Sequence, residues 1–231
     1  MVKLLNILTR SSPLERAVRM LVCAGLLGLS ACSDLTVGGG DVGQLYQMMK
    51  TMWSGENQDI TLTQAASVPY ASMGIRLADG PQTMIVLVGG SEGERIWTSA
   101  AHITLATRNG RIIRTAGLEQ NLSGSQIVRS STGSDGTRTF VWLADFADIG
   151  VYSAPIFCRD RNAGEETITI LGKPIHTRRI NETCASQQNN LDWSFHNTYW
   201  KDPVTGLTWR AIQHVHPKFG PIETEILRPP A

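Results

Sequence analysis

Long apolar runs are scarce in this sequence: the one sustained stretch, Met20 to Leu29, is ten residues, and about 20 are needed for a helix to cross a bilayer. A polytopic membrane protein is therefore excluded. Aromatic residues make up 6% and charged residues 18% of the 231 positions, and no segment carries a run of basic side chains. Nucleic-acid binding depends on neutralising phosphates with clustered lysine and arginine, so nucleic acid is not expected as a partner. Cysteine is also sparse, at four residues, too few for a disulfide-dense mini-protein. With 42% hydrophobic residues, the remaining class is an ordinary foldable chain.

Charge is unevenly placed. Residues 1–31 hold four basic side chains (Lys3, Arg10, Arg16, Arg19) against Glu15, which leaves 17 basic against 19 acidic beyond them. A basic stretch, an apolar core and then small residues form the layout of a secretory signal. At its end, Leu29-Ser30-Ala31-Cys32 resembles a bacterial lipobox, which implies cleavage before Cys32 and acylation of its thiol. In bacterial lipoproteins generally, aspartate after the cysteine favours inner-membrane retention. Ser33 stands there instead, so the expected location is the outer membrane, with the domain facing the periplasm. Residues 1–31 then form the signal, 32–40 a lipidated tether and 41–231 a single β-rich domain.

With Cys23 in the signal and Cys32 acylated, Cys158 and Cys184 are the thiols left to the domain. In an oxidising compartment two such cysteines are expected to pair.

After Gly38-Gly39-Gly40, Asp41 is a suitable N-cap. Val42, Leu45, Tyr46, Met49, Met52 and Trp53 follow at helical spacing, as one apolar stripe of an amphipathic helix. Gly38, Gly40 and Gly43 fit the dinucleotide-binding pattern, but that fingerprint requires a preceding strand, and a lipidated tether stands there instead. No cofactor is expected.

Beyond residue 60 the pattern alternates. Met84–Val88, Trp97–Leu105, Thr139–Phe146, Val151–Cys158, Glu166–Leu171, Thr177–Cys184, Leu191–Trp200 and Leu207–Val215 read as strands. Asn109-Gly110 is a two-residue hairpin turn, and Ser130–Gly136 reads as a turn-rich connection. Many short strands without βαβ alternation predict a mainly β fold, an antiparallel sandwich or barrel-like domain carrying the one N-terminal helix.

The segment Leu191–Pro217 is the most informative for function. If Lys201 pairs with Leu207 around the loop 202–206, Tyr199 faces Trp209, Phe195 faces Gln213 and Trp193 faces Val215 on an aromatic, core-forming side. The other side carries Trp200, Arg210, His196, His214, Asp192 and His216. A solvated sheet surface is the plain reading of that side. The functional reading is ligand recognition, in which an aromatic plane stacks on a sugar and polar neighbours bind its hydroxyls. His-x-His spacing also suits a transition metal, but it is a weak signal and no metal site is assigned. No G-x-S-x-G elbow occurs, and Asp145, Asp148, Glu223 and Glu225 carry no mark of a catalytic pair. No catalytic residue is assigned.

The segment Thr107–Leu118, reading TRNGRIIRTAGL, resembles the YjbF/GfcB family of bacterial lipoproteins, the group 4 capsule polysaccharide lipoproteins. The resemblance extends to Pro69–Met73, Glu166–Gly172, Asn197–Trp200 and Gly206–Arg210. It implies a mostly β accessory lipoprotein for making or exporting an exopolysaccharide or capsule, with the polysaccharide or its export proteins as partners. It supplies no catalytic residues. The alternative is a periplasmic glycan-modifying enzyme.

Overall fold

The computed structural model describes residues 59–230 apart from 92, 189 and 190. The lipobox with Cys32 and the amphipathic stripe 42–53 lie outside the described residues. The first element is a short helix, α1 (Leu62–Ser67), closed by a capping box. Thr61 accepts from the Gln64 backbone while the Gln64 side chain accepts from the Thr61 N–H, which satisfies two of the donors a helix start leaves open.

Twelve strands follow in chain order: β1 (Ser72–Leu77), β2 (Gln82–Gly89), β3 (Glu94–Thr98), β4 (Thr104–Arg108), β5 (Arg111–Ala116), β6 (Gly124–Thr132), β7 (Arg138–Phe146), β8 (Val151–Ile170), β9 (Lys173–Gln188), β10 (Leu191–Lys201), β11 (Thr208–Gln213) and β12 (Ile222–Arg228). They form one antiparallel sheet in the order β5-β4-β3-β2-β1-β12-β11-β10-β9-β8-β7-β6. Each strand pairs with its chain neighbours, with two exceptions. β1 joins β12, bringing the ends of the domain together. β5 and β6, the two edges, approach each other: Thr115 N–H bonds the Leu122 carbonyl just ahead of β6 (2.8 Å), and the Ser125 hydroxyl of β6 bonds the Ile113 carbonyl (3.3 Å). The sheet therefore nearly closes on itself, as a barrel-like fold does to protect its edges.

Two turns explain how neighbouring strands reverse so tightly. Asn109 and Gly110 both have positive φ (50° and 81°), as do Leu171 and Gly172 (49° and 75°). Paired positive φ values match the strand twist of a two-residue hairpin.

The structure corrects the sequence reading in four places. Trp97–Leu105 is two strands, β3 and β4, reversed at Ser99–Ile103, where the Ser99 hydroxyl accepts from the Ile103 N–H (3.1 Å). Val151–Cys158 and Glu166–Leu171 are parts of the single strand β8, bent by a bulge between Asn162 and Glu165. The first residues of Ser130–Gly136 belong to β6. Finally, β10 and β11 pair with Trp200 opposite Arg210, Tyr199 opposite Ala211 and Thr198 opposite Ile212, and Lys201 lies against Thr208 beyond a bulge. The longer turn and the bulge together shift the register by two positions from the one expected, so Tyr199 faces Ala211 rather than Trp209.

The interior grades from apolar to polar along the strands. At one end Phe146, Trp193, Phe195, Trp142 and Leu105 are buried, with Trp193 stacked on Phe195 (4.0 Å) and Phe146 edge-on to Trp193 (5.9 Å). Further along the same faces come Asn197, Tyr199 and Glu182, also buried. Between them Cys158 and Cys184, directly opposed on β8 and β9, form a disulfide.

Candidate functional site

Arg111 follows the Asn109-Gly110 turn and points inward. Its guanidinium pairs with Glu182 across the interior, through one contact of 3.1 Å and a second, shorter one. Glu182 has no exposed side-chain surface and also accepts from Asn197 (2.7 Å). The guanidinium lies over the rings of Phe140 (5.0 Å), Tyr199 (5.5 Å) and Trp142 (5.9 Å). A delocalised, weakly hydrated cation suits a site with carboxylate in its plane and π faces around it.

The surrounding groups titrate accordingly. Burial, reinforced by the Glu182 charge, pushes the Asp160 carboxyl up to about 6. Burial also raises the Tyr199 phenol. It lowers the Lys201 ammonium, which Arg111 further disfavours. Arg138, at 3.7 Å from Asp160 and 4.7 Å from the Phe140 ring, caps the network toward solvent.

Segments that carry the family resemblance, Thr107–Leu118 and Glu166–Gly172 among them, meet at β11. Gln213 donates to the Gly110 carbonyl (2.9 Å) and accepts from the Ile112 N–H (3.0 Å), while the Thr208 hydroxyl donates to the Asn109 carbonyl (3.3 Å). A Cβ on Gly110 would lie 2.1 Å from the Thr208 hydroxyl oxygen, so only glycine fits this approach. Near the end of β8 the Thr169 carbonyl accepts from Arg210 (3.0 Å). Arg210 also binds Glu225 and lies 3.6 Å from Glu223. Arg76 lies 3.6 Å from the same Glu223 and binds Asp59. These groups line an outer groove of about 530 Å³. Burial raises the Glu225 carboxyl, with Arg210 opposing that shift.

The six candidate recognition residues divide. Asp192, His196 and Trp200 share the outer face of β10, the first two exposed and Trp200 half-buried. Trp200 stands between Arg179 on β9 and Arg210 on β11, in direct cross-strand register with each. His214 lies past the end of β11, its ring held to the His196 carbonyl (2.9 Å). His216 leaves the outer face altogether, because the chain reverses at His216–Phe219 (Phe219 N–H to His216 carbonyl, 3.2 Å). Its fully buried ring sits edge-on to Phe146 (5.0 Å). Its Nδ1 accepts from the Lys218 N–H, so Nε2 carries the proton that bonds Asp148 (3.2 Å). Burial lowers its pKa, in keeping with a neutral structural ring.

Trp209 also departs from expectation. Displaced by the bulge, it is half-buried and lines a cavity of about 360 Å³ with Leu62, Ala65, Ile170, Leu171 and Ile226.

The family model described as "Group 4 capsule polysaccharide lipoprotein gfcB, YjbF" matches residues 46–227. The chain belongs to this family. Among curated relatives, the Escherichia coli K12 "Uncharacterized lipoprotein GfcB" is 30% identical over 187 residues, covering 75% of this chain and 84% of the relative. The E. coli K12 "Uncharacterized lipoprotein YjbF" is 24% identical over 225 residues, covering 93% and 98%. A solved structure, the hypothetical lipoprotein YmcC of E. coli K12, superposes with a TM-score of 0.62 at 22% identity, covering 84% of this chain and 98% of that one. The near-closed antiparallel sheet is thus a fold shared with an experimentally determined structure.

Proposed function

We propose that this YjbF/GfcB-family member is an outer-membrane lipoprotein, acylated at Cys32, whose β domain faces the periplasm and acts without catalysis in the assembly or export of a capsule or exopolysaccharide, binding the glycan or a protein of the export apparatus. The observation that carries this reading is the family match over residues 46–227, which spans almost all of the described domain. The chemistry of the fold agrees with a binding role. Glu182 is committed to Arg111 and Asn197, and Glu225 to Arg210. Both carboxylates are thus held in ion pairs that join strands of the sheet.

Anchoring follows from the acyl chains, since each buried methylene contributes about 0.8 kcal/mol and several chains together hold durably. The test is a clean deletion complemented with either the wild-type chain or Cys32→Ala. The deletion is expected to lower surface and secreted polysaccharide while sugar-nucleotide pools stay normal, and only the wild-type chain to restore it from the membrane fraction. Normal surface glycan in the deletion strain, without a redundant homologue, overturns the reading.

A further inference from the structure

Outside the barrel, β6 to β10 present a continuous outer face. Direct cross-strand pairing aligns Arg129, Val141, Phe157, Ala185 and Ser194 in one row. Ser131, Thr139, Arg159, Thr183 and His196 form the next, and Arg161, Asn181 and Thr198 form a third. These rows face solvent because their neighbours in sequence, Phe140, Cys158 and Cys184, are buried inside. Phe157 keeps 49% of its surface exposed at the centre, in a shallow depression of about 440 Å³.

Charge on this face is of one sign. Arg129, Arg159 and Arg161 are exposed, and among the described residues none of them has an ion-pair partner within 4.0 Å. No carboxylate stands in the three rows. Asp192 lies one row beyond Ser194, and Asp135, on the β6–β7 turn, is within electrostatic reach of Arg159. Arg76, Arg111, Arg179 and Arg210 are paired, and what marks this face is three arginines without such partners set close together around one exposed ring. Unpaired arginines bracket the aromatic ring, with Arg159 two residues along the same strand and Arg129 two strands away, about 10 Å at ordinary strand spacing. Thr139 on β7 lies between them, and the Thr183 hydroxyl of β9, beside Arg159, is 3.2 Å from His196 Nδ1.

We infer that this face binds an acidic polysaccharide, one sugar ring stacking on Phe157 while carboxylates or other anionic substituents of neighbouring residues meet Arg129, Arg159 and Arg161. The inference rests on the reading of the protein as a capsule or exopolysaccharide factor, and it names the chemistry of the glycan and the surface that takes it. A flat, hydroxyl-rich sheet with a single stacking ring and spaced cations matches a linear polyanion. The Cys158–Cys184 disulfide lies directly beneath, between the sequence neighbours of Phe157, Arg159, Thr183 and Ala185, so the strands that display the site are covalently fixed.

The test uses the purified full-length chain in detergent, titrated with polygalacturonate, with neutral dextran, and with phosphatidylglycerol vesicles. Polygalacturonate is expected to bind, with affinity falling as salt screens the exposed charges, and dextran is not. Phe157→Ala is expected to weaken binding about tenfold, the scale of losing one stacking aromatic. The triple variant R129Q/R159Q/R161Q is expected to abolish it at an unchanged melting temperature. Absence of polygalacturonate binding, equal binding of dextran, an unaltered triple variant, or capture by the vesicles instead of the polymer each overturns the site. Failure of the site is distinguishable from failure of the role. If the triple variant fully restores surface glycan to the deletion strain, this face is wrong and the role stands. If the deletion strain never loses its glycan, the role itself falls.

Discussion

Arg111 and Glu182 show how a single buried ion pair can organise a barrel interior. Removing one partner strands the other charge away from water, which typically costs about 3 to 5 kcal/mol, whereas replacing both by apolar groups is often neutral. Glu182→Leu and Arg111→Met are each expected to destabilise by that amount in chemical denaturation, and the double variant to recover most of it. Additive losses in the double variant would show that the two side chains do not act as a pair. Asp160 gives a pH signature of the same network. Its carboxyl is pushed up to about 6 from an ordinary 3.8, so the folded state holds a proton that the unfolded chain has released. Stability therefore falls as pH rises from about 4 to about 6. Asp160→Asn is expected to remove that loss, stabilising the protein by about 1 to 3 kcal/mol at pH 7.5 and having little effect at pH 4. Melting curves at the two pH values measure the difference. Neither residue stood out in the sequence, because an arginine after an Asn-Gly turn and one glutamate on β9 look like solvated charges until the interior parity of three strands is known.

Strands were legible where one face is buried and the other wet. β7 and β10 alternate cleanly between buried and more exposed positions, and the Asn109-Gly110 turn announced its hairpin. β6 was not legible, since as an edge strand it is exposed along almost its whole length and has no alternation to detect. β1 hid for the opposite reason, with Ser72, Met73, Gly74 and Ile75 all buried. β12 buries Thr224, Glu225 and Ile226 in succession, which also erases the period. The β10–β11 register failed by two positions, one from a turn that sets Lys201 against Thr208 rather than Leu207 and one from the bulge beside it, neither of which a hydrophobic pattern records. The parity of Trp200 and Arg210 survived because the shift moved the pairing by an even step. Two outcomes test these elements. Gly110→Ala puts a methyl against Thr208 at a positive φ and is expected to destabilise by more than about 1 kcal/mol, with partial recovery when Thr208→Ala removes the hydroxyl. Thermal melts of the single and double variants decide this. Non-reducing peptide mapping is expected to recover Cys158 joined to Cys184. Its removal by a paired change to serine should cost about 3 kcal/mol in the chain-entropy model for a loop of this length, and two freely alkylatable thiols in the exported protein would contradict the pairing.

At the scale of the molecule, composition and turn signals together were enough for a mainly β barrel-like domain, and the lipobox with the two remaining cysteines was enough to anticipate the disulfide. The strand order was not, because it depends on one long-range pairing. β12 lies between β1 and β11, so its deletion opens two unpaired edges in the middle of the sheet rather than trimming its rim. A chain lacking 222–231 is expected to lose its cooperative thermal transition and near-UV circular dichroism. A retained sharp melt would mean that the two arcs of the sheet stand alone.

That joint also sets a timetable. Met73 and Ile75 meet Ile226 and Thr224 across most of the domain's length, and contacts between residues so far apart in sequence form slowly, since the chain entropy of closing the loop is lost before any pairing rewards it. While the polypeptide is still emerging, hairpins such as β4–β5 or β8–β9 can flicker into being, but the seam that turns two half-sheets into a barrel waits for the final strand. A precursor that cannot seal early remains threadable. If the chain is exported as proposed, slow closure would keep it in the extended form that a translocation pore accepts, and the fold would complete on the far side, where the disulfide could then lock it.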